Sequence, residues 1–259
     1  MHKRSAILLL NVAHAVDHMF LLIFATAVAS IAADFGFARW EDLMPFGVGA
    51  FVMFGLGSLP SGRLGDLWGR RAMMIAFFFG IGASSLIASL AQGPWQLAAA
   101  LTLIGTFASI YHPVGIPMLL QGALRPGATI GVNGLAGNLG IAVAAALTGL
   151  LMQWLGWRAA FAVPGVVCIA LGIVFMRVVP AETESPAKRK GGATLRLSRA
   201  QGPVPHLNGA YWTARLTFVQ EHFDLVAEQA KRVKVLLCVS ATNDAAHSKI
   251  GGGMPSWIA

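Results

Sequence analysis

Charge is scarce in this sequence. Lys, Arg, Asp and Glu make up only 12% of 259 residues, while 56% are hydrophobic and the mean hydropathy is +0.67. Soluble domains carry about 25% charged residues, so an ordinary water-soluble fold is excluded. Cysteine is scarcer still: Cys168 and Cys238 offer neither a disulfide framework nor a metal spacing, and both are read as packing residues. No glycine-rich nucleotide loop is present, which argues against direct use of ATP. Ser, His and Asp are too scattered for a hydrolase triad. No catalytic residue, no cofactor and no enzyme activity are therefore expected. The helical pair His14 and His18 lacks the intervening glutamate of a metalloprotease helix, so no metal site is expected either.

What the chain does have is apolar length. A membrane-spanning helix needs about 20 mostly apolar residues, and the first 180 positions hold six such stretches. They run from Ala6 to Ala33, Pro45 to Leu64, Ala72 to Ala91, Trp95 to Leu120, Thr129 to Leu151 and Ala159 to Val179. The sequence therefore predicts an all-α membrane protein with a six-helix transmembrane domain over 1–180. A cytoplasmic tail over 181–259, partly helical or disordered, follows it. The formal net charge of +8 does not point to nucleic acid, because the cations flank apolar segments rather than a recognition module.

Charge placement orients the chain. Lys3, Arg4, Arg63, Arg70, Arg71, Arg125, Arg177, Lys188, Arg189 and Lys190 all fall on one side of the six spans. The other side receives Arg39 with Asp34, Glu41 and Asp42, then the uncharged Gln92-Gly93-Pro94, then Arg158. Positive loops face the cytoplasm, so both termini are expected there. The start resembles a secretory signal only superficially, since its apolar stretch is long and carries Asn11, His14, Asp17 and His18. It is read as a retained helix.

Those four residues are the main candidate chemistry. At 3.6 residues per turn, Asn11, His14, Asp17 and His18 share one broad face of the first helix. A carboxylate in mid-membrane costs roughly 2.5–3.5 kcal/mol on insertion scales, so Asp17 is expected to face the protein interior. An imidazole titrates near physiological pH, and the set Asp17, His14 and His18 suits proton coupling. A static network that fixes helix packing is the alternative. In the fourth helix, Tyr111-His112-Pro113 and Pro117 predict a kink, with Tyr111 and His112 as candidates along a substrate path. The fifth helix carries Gly131, Gly134, Gly137, Gly140 and Gly149, which favour close packing, and Asn133 and Asn138, further substrate-path candidates.

Between the second and third spans lies Gly62-Arg63-Leu64-Gly65-Asp66-Leu67-Trp68-Gly69-Arg70-Arg71, read as a short charged loop whose Asp66 caps the next helix. Its spacing resembles the signature of the major facilitator superfamily of transporters, Gly-x-x-x-Asp-Arg/Lys-x-Gly-Arg-Arg/Lys. Gly62, Asp66, Gly69, Arg70 and Arg71 match, and Leu67 replaces the basic residue. The resemblance implies that this loop biases inward and outward states. The stretch Gly149 to Arg158 repeats it, with Gly149, Gly156 and Arg158 echoing Gly62, Gly69 and Arg71. Three helices per unit then imply two inverted three-helix repeats, the arrangement within each half of such transporters. Within the superfamily, Ala13 to Met19, Ile110 to Pro113 and Gly137-Asn138-Leu139-Gly140 resemble the fosmidomycin resistance group of bacterial efflux proteins. The fifth helix lacks the proline of the exporter motif.

The resemblance covers residues 6 to 180 and implies proton-driven export of a small molecule across the bacterial inner membrane. The expected partners are protons, a small-molecule substrate and lipid, with a second six-helix half or a second copy completing the unit. Two alternatives stay open. One is a non-transporting membrane-anchored interaction module, the other an uptake carrier for an organic anion or sugar. After Pro180 the composition turns polar and basic, and no seventh apolar span follows. Leu216, Val219, Phe223, Val226, Ala230, Val233 and Leu237 form an amphipathic stripe instead. The segment near Gln201 to Pro205 departs from the expected linker. A frameshifted or fused tail, and poor transport by these 259 residues alone, are the resulting expectations.

Overall fold

The computed structural model describes residues 2–182, and the described residues are helical apart from short connections. Helix α1 runs His2–Asp34, and a tight turn at Trp40–Gly47 leads into α2, Val48–Leu56, and α3, Ser58–Trp68. Then come α4, Arg70–Ser89, and α5, Pro94–Ala108, followed by a wide π turn at Tyr111–Gly115. Helices α6, Ile116–Leu120, α7, Pro126–Leu155, and α8, Trp157–Val178, complete the order. Five spans are long and apolar enough to cross a bilayer, and the bent pair Trp40–Leu56 with Ser58–Trp68 makes a sixth. Pro94 and Pro126 each open a helix, where a missing N–H leaves no hydrogen bond unmade. The expected tail beyond 182, with the stripe from Leu216 to Leu237, lies outside the described residues.

Two expectations are corrected. The second span is not one straight helix: it bends by 47° between α2 and α3, at Gly57. The charged signature is not a loop either, because α3 continues through Trp68 and only Gly69 interrupts the helix. Gly69 has φ +101° and Gly156, its counterpart in the second repeat, φ +83°. A side chain is strained in this region, so each repeat turns sharply on one glycine. Asp66 consequently does not cap α4, whose N-cap is Gly69 without a side-chain bond. It lies inside α3, 3.7 Å from the Arg70 guanidinium.

Three helix pairings build the core, and they obey an internal two-fold. Helices α1 and α7 run parallel: Asn11 meets Asn133, and Gly140 lies against the Ala15 backbone. Helices α2 and α5 also run parallel, with Gly49 against Thr102, Gly105 against the Ala50 backbone and Gly57 against Ser109. An in-plane two-fold that exchanges the two triplets maps one pairing onto the other. The third pairing, α4 with α8, maps onto itself and must be antiparallel. It is. Arg71, at the start of α4, donates from Nε to the Val179 carbonyl at 2.6 Å, just past α8, and from Nη2 to the Met176 carbonyl at 2.5 Å, in its last turn. Arg158, at the start of α8, donates from Nη2 to the Ala91 carbonyl at 3.1 Å, beyond the end of α4. The repeated arginines thus satisfy carbonyls that a helix end leaves without partners.

Between those ends the pair is apolar and close. Phe78, Ile81, Phe161 and Phe175 are fully buried there. Ser85 Oγ donates to the Phe161 carbonyl at 2.7 Å, which satisfies a hydroxyl that lipid could not. Asp34, at the end of α1, adds a third element to one end: its Oδ2 accepts from Arg158 at 2.7 Å and from Trp157 Nε1 at 3.2 Å.

Candidate functional site

Polar side chains from α1, α7 and the π turn meet at one place inside the helix bundle. Pro113 has no N–H, so the regular ladder fails near it, and the chain widens into a π turn over Tyr111–Gly115. That widening lets consecutive residues, Tyr111 and His112, both reach α1. Tyr111 is fully buried; its hydroxyl donates to the Leu10 carbonyl at 2.8 Å and accepts from Asn133 Nδ2 at 2.7 Å. Asn133 Nδ2 also donates to Asn11 Oδ1 at 2.9 Å. Asn133 thus joins α7 to both other elements.

The histidines continue this network. His14 Nδ1 is 2.7 Å from the Asn133 carbonyl, which can only accept, so Nδ1 carries the proton. In a neutral ring Nε2 then accepts, and His18 Nε2 donates to it at 3.0 Å. The His14 ring stacks on Tyr111 at 4.8 Å with 15° between planes. Gly137 makes room for it, since a β-carbon there would come within 2.7 Å of His14 Cε1. His112 stands edge-on to His14, at 5.1 Å between centroids, and edge-on to Phe54 at 5.8 Å. The ligand nitrogens of His14, His18 and His112 all lie within 4.8 Å of one another.

Asp17 lies beside them and is fully buried. Its Oδ2 approaches His112 Nε2 to 3.5 Å, an ion-pair distance when the imidazole is protonated. Neither carboxylate oxygen has a hydrogen-bond partner among the described residues. Buried carboxylates are ordinarily paired, so this one marks an incomplete site.

Seven of the eight candidates from α1, α5–α6 and α7 therefore come together: Asn11, His14, Asp17, His18, Tyr111, His112 and Asn133. Asn138 does not. It faces outward on α7, exposed, because five residues along a helix rotate a side chain about 140° away from Asn133. Sequence reasoning missed the Leu10 carbonyl as an acceptor and the role of Gly137; neither carries a polar side chain to signal it. A separate open cavity of about 580 Å³ lies between the start of α1 and the α6–α7 connection, lined by Ala6, Ile7, Leu119, Leu124, Arg125 and Thr129 among others. No member of the polar cluster lines it.

Six apolar spans in two inverted triplets, with ionisable groups at their centre, describe a transporter architecture. The sequence profile of the Major Facilitator Superfamily matches residues 10–247. The chain belongs to that superfamily. Among solved structures, this major facilitator chain is similar to the proton:xylose symporter XylE bound to 6-bromo-6-deoxy-D-glucose. The TM-score is 0.61 at 15% identity, covering 74% of this chain and 47% of the other. It is 28% identical over 170 residues to the probable actinorhodin transporter of Streptomyces coelicolor, covering 63% of this chain and 29% of that protein. It is 29% identical over 175 residues to the puromycin resistance protein pur8 of Streptomyces alboniger, covering 66% and 33%. The chain spans about a third of the length of these relatives. The narrower resemblance to the fosmidomycin resistance group rests on the motifs alone.

Proposed function

We propose that this chain serves proton-coupled export of a small molecule across a bacterial cytoplasmic membrane, with both ends of the six-span unit on the cytoplasmic side. The observation that carries the reading is Asp17, a wholly buried carboxyl without a hydrogen bond, 3.5 Å from a histidine of another element. Protonated, it is neutral and free of His112; ionised, it pairs with a protonated His112. One proton thus changes how α1 is tied to the π turn. A difference of that kind between two states is what couples a proton to a conformational change. His14 and His18 extend the proton path, and Asn11, Tyr111 and Asn133 offer donors and acceptors to a substrate. The names of the relatives, a probable actinorhodin transporter and a puromycin resistance protein, support export of a drug-like molecule.

An anion carrier fits less well. The segments 5–38, 72–124 and 126–157, which supply the cluster, contain no Lys or Arg to receive a phosphate or carboxylate. Sealed vesicles with the reconstituted protein test the proposal. An imposed pH gradient should drive accumulation of a fluorescent antibiotic, and Asp17→Asn should remove the dependence on the gradient. Gradient-driven transport of equal size in Asp17→Asn would leave Asp17 a packing residue. A total absence of flux would favour the membrane-anchored interaction module.

A further inference from the structure

We propose that His14, His18 and His112 bind one divalent transition-metal ion of the zinc class, with the Asp17 carboxylate beside it as counter-charge. His14 and His18 stand one turn apart on the same helix, with their Nε2 atoms 3.0 Å apart. Zinc–nitrogen bonds of about 2.0–2.1 Å in a tetrahedron place ligand nitrogens roughly 3.3 Å from one another, so this pair already has near-ligand spacing. The third nitrogen lies within 4.8 Å of the other two and needs a shift of up to about 1.5 Å, from the same zinc–ligand lengths. His112 can supply it by a small side-chain rotation, because it is 39% exposed and belongs to the widened turn. The same partial exposure gives an ion its access path.

Two further observations point to a ligand rather than to three neighbouring rings. His14 Nδ1 donates to the Asn133 carbonyl at 2.7 Å, and a metal-binding histidine is usually held by such a bond to its second nitrogen. It leaves His14 Nε2 unprotonated, and His18 offers Nε2 as a second ligand once its proton moves to Nδ1 of the same ring. The other observation is Asp17, wholly buried, with neither oxygen hydrogen-bonded and Oδ2 3.5 Å from His112 Nε2. A cation held by the three imidazoles gives that carboxylate the partner it lacks. Three imidazole nitrogens, with a fourth position left to water, form a donor set suited to zinc and its first-row neighbours, not to calcium or magnesium.

The proposal concerns the same side chains as the coupling site and rests on that reading for the ion's route from the transport path. Binding is measured at equilibrium in detergent and coupling in sealed vesicles, so either can fail without the other. The experiment titrates the metal-stripped full chain with Zn²⁺ by calorimetry and with Co²⁺ by visible absorption. One ion per chain and an intense four-coordinate Co²⁺ spectrum are expected. His18→Ala and His112→Ala should each weaken binding at least about tenfold, while His112→Cys should keep it and add a sulfur-to-cobalt charge-transfer band. A chain carrying His2→Ala, His206→Ala, His222→Ala and His247→Ala should bind as the parent does. Helix content by circular dichroism checks that each variant is folded. No four-coordinate Co²⁺ spectrum in the parent chain would overturn the proposal, as would undiminished binding in His18→Ala together with His112→Ala.

Discussion

The α1–α7 and α2–α5 pairings are symmetry mates, yet they differ in two respects. Helices α1 and α7 are uninterrupted over 33 and 30 residues, whereas α2 ends at a 47° bend and α5 runs into a π turn. The first pairing encloses histidines, a carboxyl and asparagines. The second has only hydroxyls along its seam: Thr102 against Gly49, and at its end Ser109 Oγ, which meets Ser61 Oγ of α3 at 3.2 Å. A repeat copies helix directions and close-packed glycines, but each copy is free to carry its own polar groups. Most of the ionisable chemistry lies on the unbroken pair; the irregular turn beyond α5 adds Tyr111 and His112 to it.

Losing charge from the unbroken pair should have the largest effect on activity. Asp17→Asn is expected to lower pH-gradient-driven transport at least tenfold, while Ser109→Ala, in the mate, leaves it within about twofold. These figures are order-of-magnitude expectations for removing an intramembrane ionisable group against a hydroxyl. Vesicle flux at matched expression separates them.

Overpacking should affect the two pairings alike. A side chain at Gly140 collides with the Ala15 backbone, and one at Gly105 with that of Ala50. Neither backbone can swing aside. Gly140→Leu and Gly105→Leu should each cost about 1–3 kcal/mol or more, read as a lower melting temperature in detergent. A much smaller loss for Gly105→Leu would show that the broken pair yields where the unbroken one does not.

Removing a hydrogen bond should cost less. Asn133→Ala loses two donated bonds, to Asn11 and Tyr111, at about 0.6–1.7 kcal/mol each within a membrane protein. Ser61→Ala, on α3 beside the mate, loses one, so chemical unfolding should rank Asn133→Ala as the more damaging. The smallest stability effect is expected at Asp66→Asn. Its pair with Arg70 is long and Asp66 itself is exposed, so the contact is worth about 0–1 kcal/mol and the protein should insert normally. Slower transport with an unchanged melting temperature would mark this end of α3 as a gate, and unchanged transport would reduce it to a surface charge.

Much of this arrangement was legible in the sequence. Apolar length gave the six spans, because a bilayer leaves few other solutions for the backbone. The polar face of α1 followed from helical spacing, and Pro113 announced the irregular turn. The bend at Gly57 was not legible, since a glycine within an apolar stretch reads equally well as a packing site. The second half of α3, from Gly62 to Trp68, reads as a loop because Gly62, Gly65 and Asp66 are weak helix formers; local propensity yields to the packing of Gly62 on Pro113 and Gly65 on Val114. Asn138 was grouped with Asn133 by residue type alone, although the rotation between them already separates their faces. The partners of Arg71 and Arg158 lie far along the chain, and only the folded antiparallel pair shows them.

Those two guanidinium groups make α4 and α8 behave like a beam pinned at both ends. A pinned pair resists sliding, because any shift along its axis lengthens the bonds at one end or the other. Compliance must then lie elsewhere, and the packed breaks in α2–α3 and α5–α6 are where the backbone is thinnest in regular bonds. Gly57 touches Ser109 just before the π turn, so the two weak points adjoin and form a single flexure. Because His112 belongs to that turn, bending the flexure changes the distance between His112 and Asp17. The contact between α1 and the turn, His112 with Asp17, thus sits at that joint.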